Sequence, residues 1–454
     1  MTNNIRKDTG MRRLFLYYTI IPLAVIAIAL TAYFIVIGRD VELADFSDLA
    51  LPAVVPPPDE QNAHTFFKRA AEAYTFKHTR EDGRWISVTD FFKENRTNTT
   101  LVAEVIAENE EAFRLFRRGL ECERYHNPPT TNEHGAIHYD FVNNQMSFAQ
   151  FIMEKARFTF DQGDTDAALR DIRDILRCGI TMRRDPISLV EYLVAISTET
   201  QALSAIAKIT RDPKTTPDDL RRLLEILDEV PPYALAAQNA LKTEFVMTTA
   251  TIKRLAAKKV HKDELSFLFG DSIPGIVFIR KNFLPNMTLN AMADYYRSII
   301  GEIPQFYSDM ALPEHSHEQF KSFYNILFMK NYLGEILWLV NVSSVWSGGI
   351  ERRCQADGQL AVTKLIVACH LFQLAEGRRP ATLDELVPGY LPAVPPDPFD
   401  GAPFRYNAAL GVVYSVGKSL TDHGGTDPNP RERNRLQPWR AENAIFKIWE
   451  DEER

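Results

Sequence analysis

Two polar stretches of this sequence carry residue types that bind metal ions. Imidazole and carboxylate groups at short spacing are zinc ligands. The first stretch holds His126, Glu133, His134 and His138, and the second holds Glu314, His315 and His317. Neither stretch has the spacing of a His-Glu-x-x-His helix or the cysteine pairs of a structural zinc site. His134 and His138 are therefore the first metal-ligand candidates, and solvated loop histidines are the alternative.

Other catalytic patterns are missing from the sequence. It contains no Gly-x-Ser-x-Gly elbow, no phosphate-binding Gly-rich loop and no dinucleotide fingerprint. Asp397 and Asp400 place two carboxylates in one Asp-Pro-Phe-Asp-Gly segment, where aspartate commonly forms turns. We assign no catalytic or cofactor-binding residue from these patterns, and the sequence favours a protein that is not an enzyme.

An uncharged run of 24 residues extends from Leu14 to Ile37. As a helix it would be about 36 Å long, which is enough to cross a hydrocarbon core of about 30 Å. Lys and Arg outnumber acidic residues before the run, whereas Asp and Glu dominate after it. This asymmetry predicts a cytoplasmic N-terminus and an extracytoplasmic, periplasmic bulk. A cleaved signal peptide is the alternative, but the run is longer than a signal h-region and lacks a small-x-small cleavage site.

Composition limits the class of protein. The chain has 454 residues, of which 45% are hydrophobic and 25% are charged, so it has room for two or three globular domains. The formal net charge of −8 and the lack of long basic runs after the N-terminal tail argue against nucleic-acid binding. Four cysteines are too few for a disulfide framework, and buried free thiols are favoured over a pair between Cys122 and Cys178.

Composition and periodicity divide the chain into five segments. A cytoplasmic tail (1–13) precedes a transmembrane helix (14–37), an acidic and proline-rich tether (38–60), a helical domain (61–349) and a C-terminal module (350–454). Apolar residues of the helical domain recur at intervals of three and four, with polar turns between the runs. This pattern predicts a mainly α fold, either a solenoid-like array or an irregular bundle. The sequence of the module predicts a small α+β fold, because proline, glycine and short segments of alternating hydrophobicity follow its first helix.

Individual helices are predicted from apolar spacing and capping residues. Continuous helical patterns cover 101–122, 146–160, 167–182 and 187–209. The last of these is apolar on much of its circumference and is expected to be central. Thr216 and Pro217 predict a helix start, with threonine as N-cap and proline at the first helical position. In the module, 350–375 predicts one long helix, and 404–406 and 412–416 predict strands.

The module contains short motifs in a fixed order. They are Pro380 to Pro388, Asp397 to Gly401, Tyr414 to Gly417, and Gly424 with Gly425. Their order and spacing resemble the globular end of the major pseudopilins of type II secretion systems. The resemblance covers about residues 351–450. It implies a long helix packed on a short sheet, followed by a loop that often binds calcium.

The resemblance implies calcium ligands in this loop. They are Ser415, Asp422 and Asp427, which offer the oxygen atoms that hard cations prefer. Lys418 occupies a position where the family commonly has an acidic residue. The alternative is a plain glycine-rich turn at Gly424, since glycine permits a tight turn without a bound ion.

Two departures separate the chain from a processed fibre subunit. No prepilin cleavage motif precedes Leu14, and about 300 residues of helical pattern separate the predicted span from the module. The whole chain resembles single-pass bacterial envelope proteins, a resemblance that implies no activity. We therefore expect a membrane-anchored extracytoplasmic interaction or scaffold protein of a bacterial envelope, with a protein partner and a link to a secretion or pilus-like system. The alternative hypothesis is an envelope metal-dependent hydrolase that uses the His-containing loops.

Overall fold

The structure, a computed structural model, describes residues 39–51, 55–76, 84–127, 140–257, 283–311, 349–426 and 438–449, with residues 21, 23–28, 31, 331, 333–335, 337 and 338. In these residues the expectation of a mainly helical chain with a small sheet is confirmed. Contacts divide the chain into two compact units. Unit 1 is Met1–Asp48, Thr248–Tyr295 and Pro313–Val342, and unit 2 is Leu49–Met247, Tyr296–Leu312 and Ser343–Arg454. The domain boundaries at 61 and 349 stay predictions.

Eleven α-helices have both ends within the described residues. In chain order they are α1 Ala63–Ala73, α2 Val88–Glu94, α3 Thr99–Ala107, α4 Glu110–Leu120, α5 Asp140–Asp161, α6 Thr165–Arg184, α7 Leu189–Thr210, α8 Pro217–Asp228, α9 Ala234–Ala256, α10 Pro285–Glu302 and α11 Glu351–Glu376. Three short strands follow α11: β1 Arg405–Asn407, β2 Val412–Ser415 and β3 Ala444–Lys447. The third strand was not predicted from the sequence.

The predicted start of α8 is confirmed. Thr216 Oγ1 accepts the Asp219 N–H at 3.2 Å, the Asp219 carboxylate accepts the Thr216 N–H at 3.0 Å, and Pro217 is the first helical residue. Ser188 and Glu191 form the same reciprocal capping box at the start of α7. Because each box satisfies N–H groups that a helix leaves unpaired, it fixes the residue at which the helix begins.

The continuous helix predicted over 101–122 is wrong, because the structure breaks it into α3 and α4. Asn109 stands at the break and is fully buried. Its Nδ2 donates to the carbonyl oxygens of Thr75 and Val105, both at 3.0 Å, and its Oδ1 accepts the Thr75 N–H at 2.8 Å. A buried amide side chain needs such partners, so the contact with Thr75 overrides the local helical pattern.

We call residues 63–233, which include α1 to α8, the helical array. In it α1 packs on α4 and α5, and α6 packs on α5 and α7. The expectation that α7 is central is confirmed, since it packs on α5, α6 and α11 and its buried residues cover most of its circumference. The expected free thiols are also found, because Cys122, Cys178, Cys354 and Cys369 are all buried and unpaired.

The C-terminal module joins α11 to an antiparallel sheet in the order β1-β2-β3. The apolar face of α11 packs against the sheet as predicted: Leu365, Ile366, Cys369 and Phe372 share a cluster with Phe404, Val413 and Phe446. Helix α11 also packs on α7 and α8, and Ala207 of α7 belongs to the same cluster. The module therefore shares apolar contacts with the helical array.

Unit 1 has its own polar contacts at the start of α10. The Asp40 carboxylate accepts the N–H groups of Asn286 and Met287 at 2.8 and 2.9 Å. The buried Asn331 side chain donates to Thr288 Oγ1 at 2.9 Å. A carboxylate at a helix N-terminus pairs exposed N–H groups and matches the positive end of the helix dipole. Asp40 therefore fixes the residue at which α10 begins.

Most of the predicted membrane span, 14–37, lies outside the described residues. Residues 21, 23–28 and 31 within it are helical, and the side chains of Leu23 and Ile28 are exposed. Among the residues that the structure describes, one helix, α11, is long and apolar enough to cross a membrane, and 61% of its most apolar stretch is buried inside the protein. Membrane crossing by 14–37 stays a prediction.

Candidate functional site

The predicted site residues divide into two groups. Ser415 and Asp422 are described, whereas Asp427, His134 and His138 lie outside the described residues. Among the described residues, no group of three or more His, Cys, Asp or Glu side chains is arranged to hold a metal ion. The metal-dependent hydrolase and the calcium loop therefore stay hypotheses.

The motifs of the module meet at a polar cluster around Asp397, which is fully buried. Its carboxylate accepts the Ser415 hydroxyl at 2.9 Å and the N–H groups of Phe399 and Val416, both at 3.0 Å. Burial raises the pKa of Asp397, although these hydrogen bonds oppose the rise. Ser415 thus donates to the Asp-Pro-x-x-Gly turn and ties it to the end of β2.

Arg405 supplies positive charge to three carboxylates of this cluster. Its guanidinium lies 2.5 Å from Asp400, 3.1 Å from Asp422 and 3.5 Å from Asp397. Burial alone would raise the pKa of Asp422, but hydrogen bonds from Gly424 and Tyr414 and the charge of Arg405 outweigh it, so the pKa is lowered. We call Arg405 with these three aspartates the module cluster.

Lys418, at the position where the family commonly has an acidic residue, forms an ion pair within the protein. Its Nζ lies 3.2 Å from the carboxylate of Glu351 at the start of α11. Ser415 and Asp422, the two described calcium-ligand candidates, bond to Asp397 and Arg405 respectively. The structure therefore brings these two described residues into one region, where protein groups already bond to them.

A second polar cluster lies inside the helical array and was missed by sequence reasoning. Arg183 Nε donates to Glu199 at 2.7 Å, and the Tyr233 hydroxyl donates to the same carboxylate at 2.6 Å. A Cβ added at Gly179 would lie 2.4 Å from Glu199 Cγ, so glycine is required there. Burial raises the pKa of Glu199, and Arg183 opposes the rise. The available signal was a glutamate, Glu199, in a helix whose apolar residues cover much of its circumference.

A groove of about 650 Å³ runs between α7 and the C-terminal module. Its apolar lining includes Leu193, Ile196, Ala207, Ile366, Trp439 and Phe446. Trp439 is held in place because its Nε1 donates to Gln359 at 3.1 Å and its ring lies where a Cβ at Gly358 would clash. A concave, mainly apolar volume of this size is typical of a binding site.

The groove has a marked charge. Lys208, Arg211 and Arg352 line it, and none of the lining residues that the structure describes carries a carboxylate. Arg211 donates to the carbonyl oxygens of Ala207 at 2.9 Å and Ile448 at 3.2 Å, which fixes its position. Burial and the nearby Arg157 lower the pKa of Lys208, and the carboxylate of Glu154 opposes this change. The groove is therefore positive in a protein whose net charge is −8.

No protein-family model, curated protein or solved structure matches this chain. The arrangement of the described residues is therefore the basis for a functional proposal. Of the three regions above, the two arginine clusters are ion pairs closed within the chain, whereas the groove is a concave surface lined by three basic residues.

Proposed function

We propose that this protein is a membrane-anchored, extracytoplasmic interaction protein of a bacterial envelope. The predicted span, 14–37, would hold it in the membrane with its N-terminus in the cytoplasm. The resemblance of the module to major pseudopilins favours a partner from a secretion or pilus-like system. Under this proposal the partner is a protein, and binding rather than catalysis is the activity.

One observation carries this proposal. The groove is formed jointly by the helical array and the module, with α7 on one side and Ile366, Trp439 and Phe446 on the other. Both walls are fixed by packing, because α11 lies against α7 and Trp439 is bonded to Gln359. Rigid walls reduce the conformational entropy that is lost on binding, so such a groove suits recognition of a partner.

Photo-crosslinking in the native envelope tests the interaction. In the full chain, Ser204, an exposed residue of the groove, is replaced by a photoreactive phenylalanine analogue. The same replacement at Leu374, which is 52% exposed on α11 and does not line the groove, provides a matched control. We expect a discrete protein adduct from position 204 alone. Equal labelling at both positions, or no adduct at 204, would contradict the proposal.

The membrane topology has its own test. A phosphatase fused to the C-terminus is active only outside the cytoplasm, and a fluorescent protein that folds in the cytoplasm gives the opposite report. We expect phosphatase activity, because Lys and Arg are concentrated before Leu14. Fluorescence with an inactive phosphatase would overturn the localisation but would leave the groove as a binding surface.

A further inference from the structure

We propose that a second, smaller cavity binds a compact organic carboxylate, a ligand with an apolar body and one negative charge. The cavity lies within the helical array, between α2 and the C-terminal part of α5, and has a volume of about 250 Å³. Its described lining includes two phenylalanines, three cationic side chains and two carboxylates. This site goes beyond the proposed function, because the groove and its protein partner have no part in it.

The size and the aromatic lining of the cavity favour a small apolar body. Cavities for drug-sized molecules span about 300–1,000 Å³, so this cavity of about 250 Å³ suits a smaller ligand. Phe92 and Phe158 line it and contact each other, with ring centroids 6.3 Å apart and ring planes at 64°. Phe92 is buried, so packing holds its ring in place. A ligand ring placed against this pair gains an aromatic contact in addition to apolar burial.

The two carboxylates of the cavity are already paired within the protein. Glu154 accepts the Thr89 hydroxyl at 3.0 Å and Arg157 Nη1 at 3.4 Å, and its side chain is 11% exposed. Asp161 lies 2.7 Å from the guanidinium of Arg96, and its side chain is 15% exposed. Because both acidic groups are bonded and largely withdrawn from water, they offer little to a cationic ligand.

The cationic side chains of the cavity keep N–H donors for a ligand. Lys93, in the last turn of α2, is exposed and has no hydrogen-bond or ion-pair partner among the residues that the structure describes. Arg157 bonds to Glu154 through one N–H group, which leaves its other donors unused in the described part of the chain. Lys208 adds positive charge nearby, because Arg157 lowers its pKa and Glu154 raises it. A carboxylate in the cavity would therefore accept charge-assisted hydrogen bonds.

Photoaffinity labelling of the purified full chain in detergent tests the site with three probes of nearly equal shape. They are para-azidobenzoate, para-azidobenzamide and para-azidobenzamidine, which carry a negative charge, no charge and a positive charge. We expect the benzoate probe to label peptides that contain 89–96 or 154–161, and unlabelled benzoate to compete with it. The other two probes should give on the order of tenfold less of these adducts, because they cannot accept a charge-assisted hydrogen bond as an anion does.

Substitutions at Lys93 separate binding from folding, because this side chain is exposed and its removal breaks no bond to another described residue. In Lys93→Gln the concentration of benzoate that halves the labelling should rise on the order of tenfold, and Lys93→Arg should retain the natural value. Lys253→Gln, at an exposed lysine on α9 outside the cavity, is the matched control and should change nothing. Unchanged thermal unfolding of each variant shows that the fold is intact.

Four results would overturn the inference. Absence of adducts in 89–96 and 154–161 would mean that the cavity does not bind the carboxylate, and equal labelling by the cationic probe would mean that Glu154 and Asp161 remain open. Equal competition in Lys93→Gln and the natural chain would remove the role of that lysine. Competition by inorganic phosphate at the same concentration as benzoate would mean that charge alone is recognised, without Phe92 and Phe158. A crosslinked partner at position 204 would keep the proposed function in each case.

Discussion

The helical array and the C-terminal module each contain an arginine among carboxylates, and the two clusters differ in access to water. The side chains of Arg183 and Glu199 are 3% and 1% exposed, whereas Arg405 is 21% exposed and is shared by three aspartates. In the array one cation meets one carboxylate in a sealed site. In the module one cation meets several carboxylates, and water reaches part of the cluster.

This difference determines how each region responds to damage. Removal of one partner from a sealed pair leaves an unpaired buried charge, which is strongly destabilising. In the module cluster, Asp397 keeps its bonds from Ser415 and two N–H groups when Arg405 is lost. We therefore expect the array to be the more sensitive region for charge and the module to depend mainly on its apolar core.

The largest expected effect comes from the apolar core of the module. Leu365 is fully buried between α11 and the sheet, and Leu365→Asp would place an unpaired carboxylate there. We expect a loss of about 5 kcal/mol in the free energy of unfolding, from the lost side-chain burial and the buried charge. Leu374→Asp, on the exposed face of the same helix, should change it by less than about 0.5 kcal/mol.

Hydrogen exchange on Leu365→Asp locates the damage and tests the predicted boundary at 349. Loss of protection confined to 350–454 would support a separate module. Equal loss across α5 to α8 would mean that the contacts of α11 with α7 and α8 make one cooperative unit. The helical array and the module would then unfold together and would not have separate stabilities.

The sealed pair in the array should come next. Arg183→Met leaves the Glu199 carboxylate with Tyr233 as its remaining side-chain partner, and we expect a loss of about 3–5 kcal/mol. Arg173→Met breaks the exposed pair with Glu229 and should cost less than about 1 kcal/mol. Chemical unfolding measures both. Recovery of most stability in Arg183→Met/Glu199→Leu would show that the unpaired charge causes the loss, and equal losses for Arg183→Met and Arg173→Met would contradict it.

The pH dependence of stability can be compared between the two regions, because each contains one buried histidine. Burial lowers the pKa of His64 in the array and of His370 in the module from 6.5 to about 4. Each histidine is then neutral in the folded protein and takes up a proton on unfolding between these values. Stability is therefore fully present above pH 6.5 and falls as the pH drops towards about 4, on the order of 3 kcal/mol for each residue.

Substitution separates the two contributions. His64→Phe and His370→Phe should each reduce the loss of unfolding free energy between pH 7 and pH 5, because each removes one site of proton uptake. Hydrogen exchange at pH 5 should show the change in the array for His64→Phe and in the module for His370→Phe. An unchanged pH dependence in both variants would mean that other groups control acid unfolding.

The sequence predicted a helix boundary correctly where residues close together in the chain determine it. Thr216 and Asp219 form a capping box within four residues, so the start of α8 could be predicted. The break at Asn109 could not, because its partner Thr75 is 34 residues away. Strand β3 was missed for the same reason, since its pairing of Ala444 with Ser415 depends on tertiary structure.

The candidate sites follow the same rule. The pseudopilin resemblance implied that Ser415 and Asp422 belong to one loop, and the structure places Ser415 beside Asp397 and Asp422 beside Arg405. Nothing in the local sequence indicated that Arg405 would pair with three aspartates. The groove was also unpredictable, because its walls come from α7 and from residues about 140 to 250 positions later in the chain. Basic residues that meet only in the tertiary structure leave no periodic pattern in the sequence.

The smallest expected effect concerns the module cluster and calcium. Arg405→Ala should cost about 1–2 kcal/mol, because the cluster is partly hydrated and Asp397 keeps its other bonds. Arg405→Lys should recover part of this loss, since it restores the charge without the forked geometry. Millimolar calcium should leave the unfolding midpoint of the natural chain unchanged and should raise that of Arg405→Ala, whose carboxylates then lack a cation. If calcium instead stabilises the natural chain, and Asp422→Asn or Asp427→Asn abolishes the effect, Ser415, Asp422 and Asp427 form the calcium site that the pseudopilin resemblance implies, and Arg405 is not its substitute.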